Sequence, residues 1–175
     1  MQTNPVKQKL LAGQPVFGTF GWEFLVSGLP QIAKASGAQF LMLDMEHNGA
    51  QFDAIKTQAA LCRGFGVVPM VRVPACEYTY IARALDAGAM GIMVPMVRTA
   101  EQAEFIVSCT RYPPVGRRGA AFGFMQHGFN AIERKANRGD AHRGAVAPAV
   151  VWTGLFGQEP SAKVAAIPRI RVFSS

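Results

Sequence analysis

The 175-residue sequence predicts an α/β fold built on a parallel sheet, and three observations predict it. Short apolar runs alternate with stretches of helical periodicity. The links between them are only a few residues long. The apolar runs are continuous instead of alternating with polar residues, as in strands covered on both faces.

The order of elements follows from local chemistry. Pro15–Phe20 is a short β-type run, and Phe24–Ala35 is helical in pattern, shortened by Gly28 and Pro30 and stopped by Gly37. Phe40–Leu43 is a buried strand. Gln51–Arg63 is a helix with Phe52, Ile55, Ala59 and Cys62 inward and Gly64 as its stop. Val67–Val73 is a strand, Tyr78–Leu85 a helix ending near Gly88, and Gly91–Pro95 a strand. Thr99–Thr110 is a helix that starts on a good N-cap. Four β-then-α units with short links imply right-handed crossovers. A barrel and an open doubly wound sheet both satisfy this pattern. No GxGxxG follows the first strand, which disfavours a dinucleotide-binding half.

Composition narrows the function classes. Half the residues are apolar, and no apolar run reaches the length of a bilayer span. Met1–Lys9 lacks the apolar stretch of a signal peptide, so a cytoplasmic protein with no membrane partner is expected. Cys62, Cys76 and Cys109 are isolated, which argues against a disulfide framework or a zinc site. The net charge of +7 is uneven: residues 1–133 carry 11 Lys/Arg and 9 Asp/Glu, and residues 134–175 carry 7 and 2. The basic tail has no interleaved aromatic residues and no nucleic-acid motif, so no nucleic-acid partner is expected.

The polar residues at strand ends carry the chemistry. Asp44-Met45-Glu46-His47 follows the second strand, Arg72 ends the third, and Asp86 precedes Ala87-Gly88. Arg72 offers a planar fork for a carboxylate. His47 can move a proton near neutral pH. A carboxylate such as Asp86 can orient an imidazole. The bland alternative is a structural network in which Asp44 and Glu46 merely pair with a base.

Four segments in register resemble the HpcH/HpaI class II aldolase family, which includes citrate lyase β-like proteins. They are Leu43-Asp44-Met45-Glu46-His47-Asn48, Val71-Arg72-Val73-Pro74, Ala84 through Pro95, and Arg111-Tyr112-Pro113-Pro114-Val115-Gly116-Arg117-Arg118-Gly119. The resemblance implies a (βα)8 TIM barrel, of which about the first six βα units are represented. It also implies a lyase, a metal-dependent aldolase that cleaves or forms 4-hydroxy-2-oxo acids through a pyruvate enolate, with a place in aromatic-compound catabolism. By the same resemblance His47 is the proton-transfer residue, Asp86 its acid partner, and Arg72 the catalytic residue that binds the substrate carboxylate. Asp44 and Glu46 support these from behind. The implied substrates are a 2-oxo acid (pyruvate or oxaloacetate) and an aldehyde. The implied cofactor is divalent Mg, Mn or Co, and the implied assembly a homo-oligomer, hexameric in the family.

The family's metal ligands, a Glu in Gln-x-Glu and an Asp in Gly-Pro-x-Asp, are not identifiable in this chain. Glu159 has the wrong spacing and a proline neighbour. Residues 1–137 form the family-like barrel portion and residues 138–175 a divergent segment of the same domain, basic and irregular, as expected of a truncated or frame-altered sequence. The alternative function is an inactive barrel fragment or an oligomer subunit without a metal site. The segment from Phe122 to Phe129 is the candidate for aldehyde specificity.

Overall fold

The computed structural model describes residues 4–120, 149–151 and 170–171, the last two segments as backbone only. Helix α1 (Pro5–Leu11) precedes strand β1 (Gly18–Gly21). Then follow α2 (Leu29–Ala35), β2 (Phe40–Asp44), α3 (Phe52–Gly64) and β3 (Val68–Arg72). They continue as α4 (Tyr78–Asp86), β4 (Gly91–Val94) and α5 (Ala100–Thr110). Strands β5 (Ala149–Val151) and β6 (Ile170–Arg171) complete the set.

The sheet has six strands in the order β1-β2-β3-β4-β5-β6, and every pairing is parallel. This order decides between the two architectures the sequence allows. A doubly wound sheet reverses direction at a switch point, and its ligand crevice lies there. Here each crossover advances one strand in the same direction, which is the winding of a barrel.

Alternation along the strands sorts the side chains into two layers. Leu41, Leu43, Val71, Ile92 and Val94 face the helices and pack with Ile55, Ile81 and Ile106 in one buried cluster. The other face carries Met42, Val68, Met70 and Met93, joined by Val6 of α1 and partly by Phe20 and Phe40. Asp44 continues the Phe40–Met42 face, and Arg72 continues the Val68–Met70 face. The register sets Asp44 beside Arg72. Both therefore stand on the inner face, at the C-terminal rim, above a floor of methionines.

Helix α1, not foreseen from the sequence, closes the other end of this inner layer. Asn4 Oδ1 accepts from Lys7 N at 3.0 Å, Pro5 opens the helix, and Asn4 Nδ2 donates to Met90 O at 2.9 Å. The Asn-Pro start was a readable signal. Helix α2 begins five residues later than its periodicity suggests, because Pro30 fits only the first turn of a helix. Helix α3 is not stopped by Gly64, its last residue; the left-handed turn comes at Gly66. Helix α5 has the expected cap at Thr99, completed by Gln102 as a capping box.

Burial pushes the Cys62 thiol up to about 12 and raises Cys76 and Cys109. All three are free thiols, and Cys62 and Cys109 pack as small apolar groups. The expectations for residues 121–148, including the Phe122–Phe129 segment, and for Glu159 lie outside the described residues.

Asn4→Ala removes the cap of α1 and the tie to Met90 together. It should lower stability by about 1–2 kcal/mol, read as a lower urea midpoint at unchanged slope.

Candidate active site

Strand β2 ends on Asp44, and the chain then turns tightly through Glu46 and His47. The turn is built by the aspartate itself: Asp44 Oδ1 accepts from Glu46 N at 3.0 Å and Oδ2 from His47 N at 3.2 Å. The same two oxygens accept from Arg72, Oδ1 from Nε at 2.6 Å and Oδ2 from Nη2 at 2.9 Å. The carboxylate thus has four donors and no exposed surface. Burial by itself would raise its pKa. The Arg72 hydrogen bond, the Glu46 amide, the Arg72 charge and the His47 amide outweigh burial and hold it below the ordinary 3.8.

Arg72 is 5% exposed and held on three sides. Asp44 takes the Nε–Nη2 edge. Glu46 Oε2 stands 3.2 Å from Nη1. The rings of Phe20 and Trp22, stacked with centroids 5.0 Å apart, lie 5.3 and 4.9 Å from the guanidinium carbon. Asn48 donates its amide N–H to the Trp22 carbonyl, which anchors the end of β1 to the β2 turn. The aromatic partners of Arg72 escaped sequence reasoning. The Phe20–Trp22 spacing was visible, but their approach to Arg72 is set by the β1–β2–β3 register.

His47 lies at the opening, 62% exposed, with Nε2 3.6 Å from the same Glu46 Oε2 that faces Arg72. One carboxylate oxygen therefore sits between the imidazole and the guanidinium. Arg72, Asp44, Glu46 and His47 converge at the C-terminal rim as expected.

Asp86 does not join them: contrary to the expectation that it partners His47, the two stand at opposite rims within this chain. Asp86 is the last residue of α4, which runs back along the sheet. The following segment is level with the start of β3, where Met90 N donates to Pro69 O at 2.8 Å. Gly88, at φ 110°, and the Ala89 N to Ala84 O bond of 3.1 Å form the helix-ending turn. Asp86 thus lies at the N-terminal rim, where Arg118 Nη2 donates to Oδ1 at 2.7 Å. This contact offsets an acid at the negative end of a helix. It ties the segment after α5 to α4, together with the Gly119 N to Tyr78 hydroxyl bond. The helix pattern already put Asp86 at a helix end, and that was the signal for its rim.

Among the described residues, no group of three His, Cys, Asp or Glu side chains could hold a metal ion. Both Asp44 oxygens are spent on Arg72 and backbone amides, and Glu46 Oε2 faces two basic groups. The rim acids do not fit a divalent ion.

A one-directional parallel βα sheet with a buried arginine and an exposed histidine at the strand C-termini defines a (βα)-barrel of the kind whose reactions occur at that rim. The chain belongs to the HpcH/HpaI aldolase/citrate lyase family, whose model matches residues 27–154. It is 34% identical over 154 residues to a hydroxypyruvate/pyruvate aldolase of Roseobacter denitrificans, covering 87% of this chain and 60% of that one. It is 37% identical over 122 residues to a 2-keto-3-deoxy-L-rhamnonate aldolase of Klebsiella pneumoniae, covering 69% and 45%. The chain thus spans about half the length of the curated relatives it matches. Among solved structures, an HpcH/HpaI aldolase/citrate lyase family protein of Burkholderia cenocepacia superposes with a TM-score of 0.82 at 28% identity, covering 97% of this chain and 68% of that one. An HpcH/HpaI aldolase of Desulfitobacterium hafniense gives 0.77 at 26%, covering 85% and 56%. No described helix is long and apolar enough to cross a membrane.

Asp44, with a depressed pKa, adds stability above about pH 4 that is lost as pH falls through its folded value. Asp44→Asn leaves Arg72 buried without its partner and should cost about 3–5 kcal/mol at pH 7. In denaturant titrations the gap from the parent should narrow toward pH 3.

Proposed function

We propose that the chain carries the 2-oxo-acid half of a carbon–carbon lyase, an aldolase acting on 4-hydroxy-2-oxo acids. The observation that carries the reading is the immobilised Arg72 guanidinium beside His47 at the C-terminal rim. A planar cation held on its inner edge can present its outer N–H groups to a carboxylate and offset charge that develops on the adjacent oxygen.

In the direction of synthesis, His47 accepts a proton from the methyl group of pyruvate through a water molecule. The electron pair left behind forms the enolate, and Arg72 stabilises its charge. The enolate carbon bonds to the aldehyde carbonyl, and the resulting alkoxide takes up a proton by the same route. Cleavage is the reverse. Oxaloacetate presents the same 2-oxo carboxylate end. The divalent Mg, Mn or Co implied by the resemblance has no ligand set among the described residues.

Exchange of the pyruvate methyl protons in deuterated buffer tests the enolate step without the right aldehyde. With Mg²⁺, Mn²⁺ or Co²⁺ supplied in turn, exchange is expected, and His47→Ala and Arg72→Ala should each reduce it by about a hundredfold or more. No exchange with any of the three ions would favour the inactive barrel.

A homo-oligomer belongs to the same reading. Phe17, Trp22, Phe24, Val26 and Ile32 are exposed apolar residues on and around β1 and α2. Among the described residues β1 pairs only with β2, and β6 only with β5. Such surface and edges favour association between copies. Asp86, at the rim opposite His47, then partners an imidazole only across a subunit boundary. Mixing His47→Ala with Asp86→Asn chains should restore part of the exchange that each lacks alone. No recovery in mixed oligomers removes Asp86 from the reaction.

A further inference from the structure

We infer that Glu46 is a displaceable internal counter-ion, seated on Arg72 where the substrate carboxylate must enter, so that its charge sets the affinity for the 2-oxo acid. The inference rests on the reading of Arg72 as the carboxylate-binding group, and goes beyond it by naming the residue that competes with the substrate.

Arg72 brings one positive charge, and Asp44 and Glu46 bring two negative charges within 3.2 Å of it. These three side chains sum to a net negative charge before any substrate arrives, so an incoming carboxylate meets repulsion unless one acid withdraws. The two acids differ sharply in how firmly they are held. Asp44 is fully buried and accepts two hydrogen bonds from Arg72 and two from backbone amides. Glu46 touches Arg72 through one oxygen at 3.2 Å, and its side chain is 18% exposed. Glu46 is therefore the acid that can leave.

The direction in which it can leave is also set. The oxygen on Arg72 is already 3.6 Å from His47 Nε2, and His47 is open to solvent. A small rotation away from the guanidinium keeps that oxygen beside the imidazole. A substrate carboxylate taking over Nη1 would thus release Glu46 toward the group that receives the proton. Glu46 acts as a positioning residue, not as a catalytic one.

The test is a pyruvate titration of the full chain. It follows Trp22 fluorescence in a Trp152→Phe background, because the chain has two tryptophans and Trp22 lies 4.9 Å from the Arg72 guanidinium. Glu46→Gln keeps the shape and removes the charge, and Glu46→Ala removes both. Each should lower the pyruvate Kd roughly tenfold, a gain that a merely structural role would not produce. Arg72→Lys should raise the Kd in every background. If Arg72→Lys weakens binding but neither Glu46 variant tightens it, the counter-ion inference is overturned and the carboxylate reading stands. If Arg72→Lys leaves the Kd unchanged, or no background binds pyruvate saturably, the carboxylate reading fails and takes this inference with it.

Discussion

The bidentate bond between Asp44 and Arg72 is the interaction on which the rest of the rim depends. Burying a guanidinium and a carboxylate side by side costs several kcal/mol of hydration for each ion. A well-packed apolar pair would hold β2 and β3 together at least as well. The geometry nevertheless uses every acceptor position on Asp44. Two face the guanidinium, and two fold the chain after β2 so that Glu46 and His47 come to the opening. One carboxylate therefore fixes the cation and shapes the turn that carries the imidazole. Buried ion pairs are weak evidence for stability, and what this one sets is position: it holds Arg72 still and folds the turn that brings His47 to the opening.

The barrel winding and the site share one cause. Parallel strands that advance in a single direction bring successive strand ends to the same rim, and alternation sorts every second side chain inward. Phe40, Met42 and Asp44 follow from that rule, as do Val68, Met70 and Arg72. Two polar side chains at the ends of otherwise apolar inner faces meet because the β2–β3 register is in step.

Much of this was legible in the sequence. Continuous apolar runs marked β2, β3 and β4 to within a residue or two, since strands covered on both faces have no polar alternation to obscure them. The Thr99 cap and the Gly37 and Gly88 stops were readable because each supplies a specific backbone need. The short helix α1 was passed over, since it buries only Val6 fully and has little apolar periodicity. The Arg72 and His47 positions were legible because polar residues at strand ends are conspicuous. The rim on which Asp86 stands is not legible from likeness of motif, which says nothing about which end of a strand a helix terminus reaches. The Phe20–Trp22 contact with Arg72 depends on three strands at once, and no local pattern encodes it.

The layer of sulfur-bearing side chains beneath Arg72 bears on how far its charge is felt. Met42, Met70 and Met93 are buried, weakly polar neighbours that offer the cation little dielectric relief from below. Field lines from a charge on a low-dielectric base spread preferentially into the medium on the other side. The interior of the sheet thereby acts as an electrostatic reflector, and the fields of Arg72 and of the two acids that face it are felt chiefly at the strand C-termini.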